Sequence, residues 1–285
     1  HQHEEGWFYE YGGAGLGDLS MSGDYLAKDY RHSRDERLGR ALHKALGFMV
    51  HFMHPDGSYG GEYGSRNVKY LMPHGLEIMA SESAAARYLL KRLYGVLERG
   101  EVVTPHLMDD RYTAFFLNKY TEAWAQYQPR DIEGDVAGLE LQTRYFAGAG
   151  LLVYKSSSLH AVVGTSKHGV VKAFDVVAKK MLYGDAGYFA VFDNGAVATT
   201  QWLDRTAECH VLERPDGVDV RVQCQMATIN FELPMVKYLI PFRLFLKTMG
   251  WWGSLMDRFG NAIKDRMITR NRAVPLLVRL GASER

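Results

Sequence analysis

The sequence predicts an α+β protein in two parts, helical hairpins first and antiparallel strands second. Three observations carry this. Apolar residues recur at three- and four-residue spacing through the first half. Short β-branched runs broken by glycine and serine fill the second half. An acid–glycine–aromatic motif recurs about 50 residues apart within the helical part, as it would in a repeat of helix pairs.

The elements follow in order. Weaker helical segments trail each glycine motif, around 19–30 and 69–80. From Asp35 to Met53, Leu38, Ala41, Leu42, Ala45, Leu46, Met49, Val50 and Met53 form one apolar helix face. A second strong helix, SESAAARYLLKRLYGVLERG, has Ser81 or Ser83 as cap and Gly100 as stop. A third runs from about Tyr112 to Tyr127 and is expected to bury Phe116, Tyr120, Ala123 and Tyr127. The boundary falls between Gln128 and Gly150, dividing the chain into 1–135 and 136–285. Beyond it, Asp193-Asn194-Gly195 and Pro215-Asp216-Gly217 read as hairpin turns between strands. A helical, amphipathic stretch near 236–268 interrupts the strands and is read as packed on the sheet rather than on a membrane.

Composition narrows the function classes. Of 285 residues, 47% are hydrophobic, which is enough for a sizeable core, and 34 basic residues against 33 acidic leave a net charge of +1. That balance argues against a general nucleic-acid binder, though it leaves room for a local basic groove. Cys209 and Cys224 are too few for a disulfide framework or a zinc site; they are either one bridge or two inert thiols. No spanning helix is visible. The opening HQHEEGWFYEYGG has no Met and no leader, and reads as a truncated end inside an aromatic-acidic motif; the closing PLLVRLGASER leaves the last strand pattern unfinished. GGAGLGD follows no strand, so it is not a dinucleotide fingerprint, and there is neither a P-loop nor a Gly-x-Ser-x-Gly elbow.

The repeat carries the functional reading. EGWFYEYGG begins at Glu5 and DGSYGGEYGSRN at Asp56, with a weaker echo in DDRYTAFF from Asp109. If helix pairs are arranged around an axis, their loops open at one end and converge on a shared cleft. Trp7, Tyr11, Tyr59, Tyr63 and Tyr112 then offer flat faces to sugar rings. Glu10, Glu62, Arg66, Asn67 and Asp110 offer hydrogen bonds to hydroxyls and carboxylates. The competing reading is plain helix-start chemistry, with Glu10 and Glu62 satisfying amides at helix N-termini.

Helical hairpins with these loops, followed by antiparallel strands, resemble the heparinase II/III-like polysaccharide lyases. The resemblance rests on EGWFYEYGG, on DGSYGGEYGSRN and on the order of the halves; it covers most of the chain and is nearest to poorly characterised members. It implies an incomplete α/α toroid followed by a β-sandwich, cleaving a uronate-containing glycan by β-elimination in the cleft between them. It also implies a periplasmic or extracellular location, and an acidic polysaccharide or oligosaccharide as partner. Such a reaction needs a neutralised carboxylate, a base and an acid. Carried over by motif, Asn67 and Arg66 are the neutralisers, Tyr63 the tyrosine with Tyr11 as its repeat equivalent, and His160 of LHAVV the histidine from the strand half. His74 is a substrate-binding reserve, and His54 reads as structural. The chain departs from the pattern in offering Asp18 where a tyrosine is expected after the first motif, and in lacking a histidine-rich metal cluster in the strand half. No cofactor is expected, and need for a divalent metal stays open. Two alternatives remain: a glycoside hydrolase using Glu10 and Glu62 as paired carboxylates, or a non-catalytic glycan-binding or assembly protein of a surface-polysaccharide system.

Overall fold

The computed structural model describes residues 2–10, 12–101, 108–129, 142–204, 207–214, 217–229 and 273–281, with a few positions between 240 and 248. The first half is helical. A two-residue hairpin, β1 (Tyr9–Glu10) and β2 (Gly13–Ala14), leads into α1 (Leu16–Ser33), α2 (Glu36–Met49) and a 3-10 turn (Val50–Phe52). Then come α3 (Pro73–Met79), α4 (Ala84–Arg99) and α5 (Asp110–Gln126). Their ends are set locally. Asp35 caps α2 by accepting from Arg37 N at 2.8 Å, and Ser83 caps α4 by accepting from Ala86 N at 3.3 Å. Gly100 stops α4 in the left-handed conformation, φ 68°. Pro73 opens α3, where its missing N–H costs nothing. The short α3 lies against α1, α4 and α5.

The second half is antiparallel. Strands β3 (Gln142–Phe146), β4 (Leu151–Lys155), β5 (Leu159–Gly164), β6 (Val170–Asp175) and β7 (Lys180–Gly184) form a five-stranded meander. A second five-stranded sheet is built on the long β11 (Gly217–Ile229). Along one edge run β10 (Glu208–Arg214) and then β9 (Val197–Thr199), which pairs on to β8 (Phe189–Val191). Along the other edge runs β12 (Ala273–Gly281). The Asp193-Asn194-Gly195 turn joins β8 to β9 as expected, with Asn194 Oδ1 accepting from Ala196 N. Leu152 and Val163 of the first sheet meet Val218, Val220 and Val222 of the second in one apolar cluster.

The halves differ in secondary structure but share a core. Trp7, Phe48, Phe52 and Leu89 are in the same buried cluster as Phe146, Leu151, Val153, Val162 and Val170. Phe48, Phe52 and Phe146 lie with ring centroids 4.8, 4.9 and 5.7 Å apart. Burying each such ring contributes about 1.5–3 kcal/mol. Two further ties cross the boundary. Glu5 accepts from the backbone N–H of Gly148 and Ala149 at 2.8 and 2.9 Å. A Cβ on Gly164 would lie 2.7 Å from Tyr63 O, so the sheet approaches the 56–67 loop closely.

Some expectations change. Tyr127 is 46% exposed and only the inner part of its helix is buried, Phe116 and Ala123 among it. Cys209 is a free thiol, so it forms no bridge to Cys224. The helical stretch near 236–268 falls mostly outside the described residues; Ile240, Arg243, Leu244, Lys247 and Thr248 within it are helical. Pro215-Asp216 also lies outside them, but β10 and β11 pair up to Arg214 and Gly217 on either side. No described helix is long and apolar enough to cross a membrane.

Candidate functional site

A cleft of about 830 Å³ opens on the helical half. All three copies of the repeated motif reach it. The β1–β2 hairpin supplies Glu10, the first turn of α1 Asp18, the end of the second motif Arg66 and Asn67, the residues just after it Lys69 and Tyr70, and the start of α5 Asp109, Tyr112, Phe115 and Phe116. Local packing holds these together. Gly17 has no side chain because Val68 fills that space: a Cβ there would lie 2.0 Å from Val68 Cγ1. Anchoring Val68 and Leu71 inward leaves Asn67 and Lys69 exposed and Tyr70 half-buried along the wall. Ser65 N donates to Ala14 O at 3.0 Å and Ser65 Oγ to Glu10 O at 3.3 Å, so the first two motifs touch.

Charges in the cleft are uneven. Asp18 is buried. It accepts from Tyr70 OH at 3.3 Å and lies 3.6 Å from Arg66 Nη1, while its Oδ2 has no hydrogen-bond partner. Burial, with Asp18 next to it, pushes the Glu10 carboxyl up from its ordinary value, against the pull of Arg66. Burial first and Asp18 second raise Tyr70, so its phenol keeps its proton at neutral pH. The Tyr70 ring stands edge-on to Phe116 at 4.7 Å, giving the wall a firm aromatic surface.

Four expected site residues, Glu10, Arg66, Asn67 and Tyr112, therefore meet in one place. Asp110 does not line it; the neighbouring Asp109, which caps α5 on Tyr112 N at 3.0 Å, does. Tyr11 falls outside the described residues.

The other expected residues point elsewhere. Trp7 is buried, donates Nε1–H to Glu5 at 2.9 Å and stacks on His3. Tyr59 is buried with its hydroxyl on Leu16 O at 3.2 Å. Glu62 pairs with Lys69 and Lys172, each at 2.7 Å; burial alone would raise its pKa, but the two lysines hold it at about 2. Glu62 is not among the described residues that line the cleft beside Glu10. Tyr63 is fully buried and donates to His54 Nε2 at 2.9 Å. A short polar chain continues outward to half-buried residues: Ser58 Oγ donates to Asp56 at 2.7 Å, so His54 Nδ1–H donates to Ser58 Oγ at 2.8 Å. His160 is buried with its ring 5.9 Å from that of His54, and its Nε2 has no partner. Tyr63 and His160 thus neighbour the same histidine, as their pairing in one site requires, but in a dry interior rather than a cleft. No described residue beyond Phe116 lines the cleft, so the strand half does not form its opposite wall.

His74 belongs to a separate buried network. Its Nδ1 lies 3.1 Å from Asp24 and 3.4 Å from Glu122, and these three could offer ligand atoms to one metal ion. Two ammonium groups are already there: Lys119 at 2.6 Å from Asp24, and Lys28 at 2.5 Å from Glu122. Burial would raise the Asp24 pKa, but hydrogen bonds from His74 and Lys119 outweigh it and hold the carboxyl below its ordinary value. The donor set is thus neutralised by its own lysines and fits a structural ion network better than a metal.

Sequence reasoning missed Tyr70, Lys69 and Phe115 and treated Asp18 only as a departure. The available signal was proximity alone: Lys69 and Tyr70 directly follow Arg66 and Asn67 in the sequence. No known family, curated protein or solved structure matches the chain in comparison.

Proposed function

We propose that the cleft takes an acidic glycan and cleaves it at a uronate by β-elimination, and that the two halves are portions of an α/α toroid and a β-sandwich. The observation that supports this reading is the meeting of Arg66 and Asn67 with Glu10 and Tyr70 on one accessible surface. Arg66 and Asn67 neutralise the uronate carboxylate, which makes the C5 proton acidic. Glu10, its carboxylate made more basic by burial and Asp18, takes that proton. Tyr70, held protonated, gives its proton to O4 as the C4–O bond breaks and the C4–C5 double bond forms. Asp18 orients the Tyr70 hydroxyl and the Arg66 guanidinium. Compared with the roles carried over by resemblance, the tyrosine moves from Tyr63 to Tyr70, and His160 takes no part. The location proposed with this activity is periplasmic or extracellular.

Incubation with a panel of uronate polymers tests this, read by the ultraviolet absorbance of the conjugated alkene product. The reading expects that absorbance to appear and Arg66→Ala to abolish it. New reducing ends without the alkene would instead assign hydrolysis, with Glu10 and Asp18 as the carboxylates. Binding without turnover would leave a glycan-binding protein and overturn the catalytic claim.

A further inference from the structure

A second groove, of about 1320 Å³, lies between α4 and the hairpin joining β6 to β7, and shares no lining residue with the cleft. We propose that it is an anion-recognition site that grips the carboxylate or sulfate groups of an acidic polysaccharide, extending the contact made in the cleft. This rests on the proposed acidic-glycan ligand.

Charge is the first argument. Lys91, Arg92 and Arg99 of α4 face Lys179 and Lys180 of the hairpin across the groove, against two acids, Asp56 and Glu101. The whole chain is nearly balanced at +1, so this excess is a local concentration. Neither acid offsets it freely. Asp56 accepts from Ser58 N and Ser58 Oγ at 2.9 and 2.7 Å, and Glu101 pairs with Arg99 at 2.7 Å. Among the described residues, Lys91, Arg92, Lys179 and Lys180 have no carboxylate within ion-pair distance. Like charges gathered without counter-charges repel one another, and a bound polyanion removes that cost.

Shape is the second. Lys91, Gly95 and Arg99 fall four residues apart, on one stripe of α4. Gly95 sits between the two cations, and the Arg99 guanidinium lies over it, 3.6 Å from where a Cβ would stand. Arg92 is placed over the Tyr88 ring, 5.5 Å from its centroid, which fixes its guanidinium plane. On the other bank Asp175 accepts from Val177 N and Ala178 N at 2.8 and 2.7 Å, and Lys179 adopts φ 53°, rare for a residue with a side chain. That turn presents two consecutive lysines. Among the described residues Tyr88 is the only aromatic lining the groove, and it is engaged by Arg92, so a sugar polyanion fits these residues better than the stacked bases of a single-stranded nucleic acid.

The test uses the full chain carrying Arg66→Ala, so that the cleft contributes little, and a fluorescently labelled oligogalacturonate as probe. Adding Lys91→Glu, Lys179→Glu and Lys180→Glu together is expected to weaken binding about tenfold or more, and binding without them is expected to weaken with added salt. Replacing the same three lysines with arginine is expected to keep the affinity. Circular dichroism melts check that the glutamate variant is folded; the substituted side chains are exposed. Three results overturn the inference: affinity within about twofold of the parent in the folded glutamate variant, indifference to salt, or equally tight binding of a single-stranded oligonucleotide of the same charge. Groove-dependent binding with no turnover by the unmodified chain leaves this site standing and removes the catalytic reading. Turnover with an unaltered groove variant does the reverse.

Discussion

The cleft of Glu10, Asp18, Arg66 and Tyr70 and the interior chain of Asp56, Ser58, His54 and Tyr63 draw on one glycine-rich segment, yet their polar groups are matched differently. Inside, each donor meets an acceptor: Tyr63 to His54, His54 to Ser58, Ser58 to Asp56. Beside that chain His160 Nε2 lacks a partner, but it is buried, and at its outer end Asp56 and Ser58 reach the second groove already hydrogen-bonded to each other. In the cleft, Asp18 keeps an oxygen without a partner and Glu10 is raised from its ordinary pKa. The first arrangement stabilises the fold; the second holds the groups a substrate would complete.

The sharpest way to break this contrast is at the two tyrosines. Tyr70→Phe is expected to lower turnover of a uronate polymer about 10²–10⁴-fold while costing about 1–3 kcal/mol by urea unfolding, since buried Asp18 loses a donor. Turnover that survives Tyr70→Phe but is lost in a stably folded Tyr63→Phe would reverse the assignment. Next in size, Lys119→Met removes the nearest ammonium from buried Asp24, leaving it His74 at 3.1 Å and the more distant Lys28 at 3.5 Å. It is expected to cost about 3–5 kcal/mol by urea unfolding, with no gain on adding divalent metal. A clear metal-dependent rise in melting temperature would show that the His74 network is a metal site after all.

Acid should strike the interior before the cleft. Burial pushes the His51 and His160 pKa values down to about 3 and His54 well below its ordinary value, so all three fold neutral. Their contribution is complete above the unfolded pKa near 6.5 and is lost as pH falls below it. Each adds a slope of roughly 1.4 kcal/mol per pH unit there. Denaturant titrations are expected to show stability dropping steeply between about pH 6 and pH 4; a flat profile would mean these rings are hydrated. The smallest effect is Tyr63→Phe, about 1–3 kcal/mol for leaving His54 Nε2 without its donor, with turnover per folded molecule unchanged.

Much of the helical half could be read from residues alone. Asp35, Ser83 and Gly100 are local signals, and local hydrogen bonds set the ends of α2 and α4. The repeat pointed to residues of the three motifs sharing a cleft, and Glu10, Arg66, Asn67 and Tyr112 do line one. What the sequence could not reveal was which way each polar side chain points. Tyr63 and Tyr70 both follow a glycine-rich turn. Tyr63 packs beneath Gly164 of the sheet and beside Phe52, whereas Tyr70 packs with Val68 against Gly17 and reaches the cleft wall. Glu62 looked as available as Glu10, but the lysine that fixes it, Lys172, comes from a strand far along the chain. Pairings of that range leave no local pattern.

The grip of Glu5 on the turn at Gly148 and Ala149 spans 143 positions. A chain emerging from the ribosome therefore makes the helices α1 to α5 before the partner of Glu5 exists. Phe146 and Leu151, needed to close around Phe48 and Phe52, arrive equally late. The helical half should wait as a loosely ordered intermediate until those strands are synthesised, and such high contact order makes the final step slow.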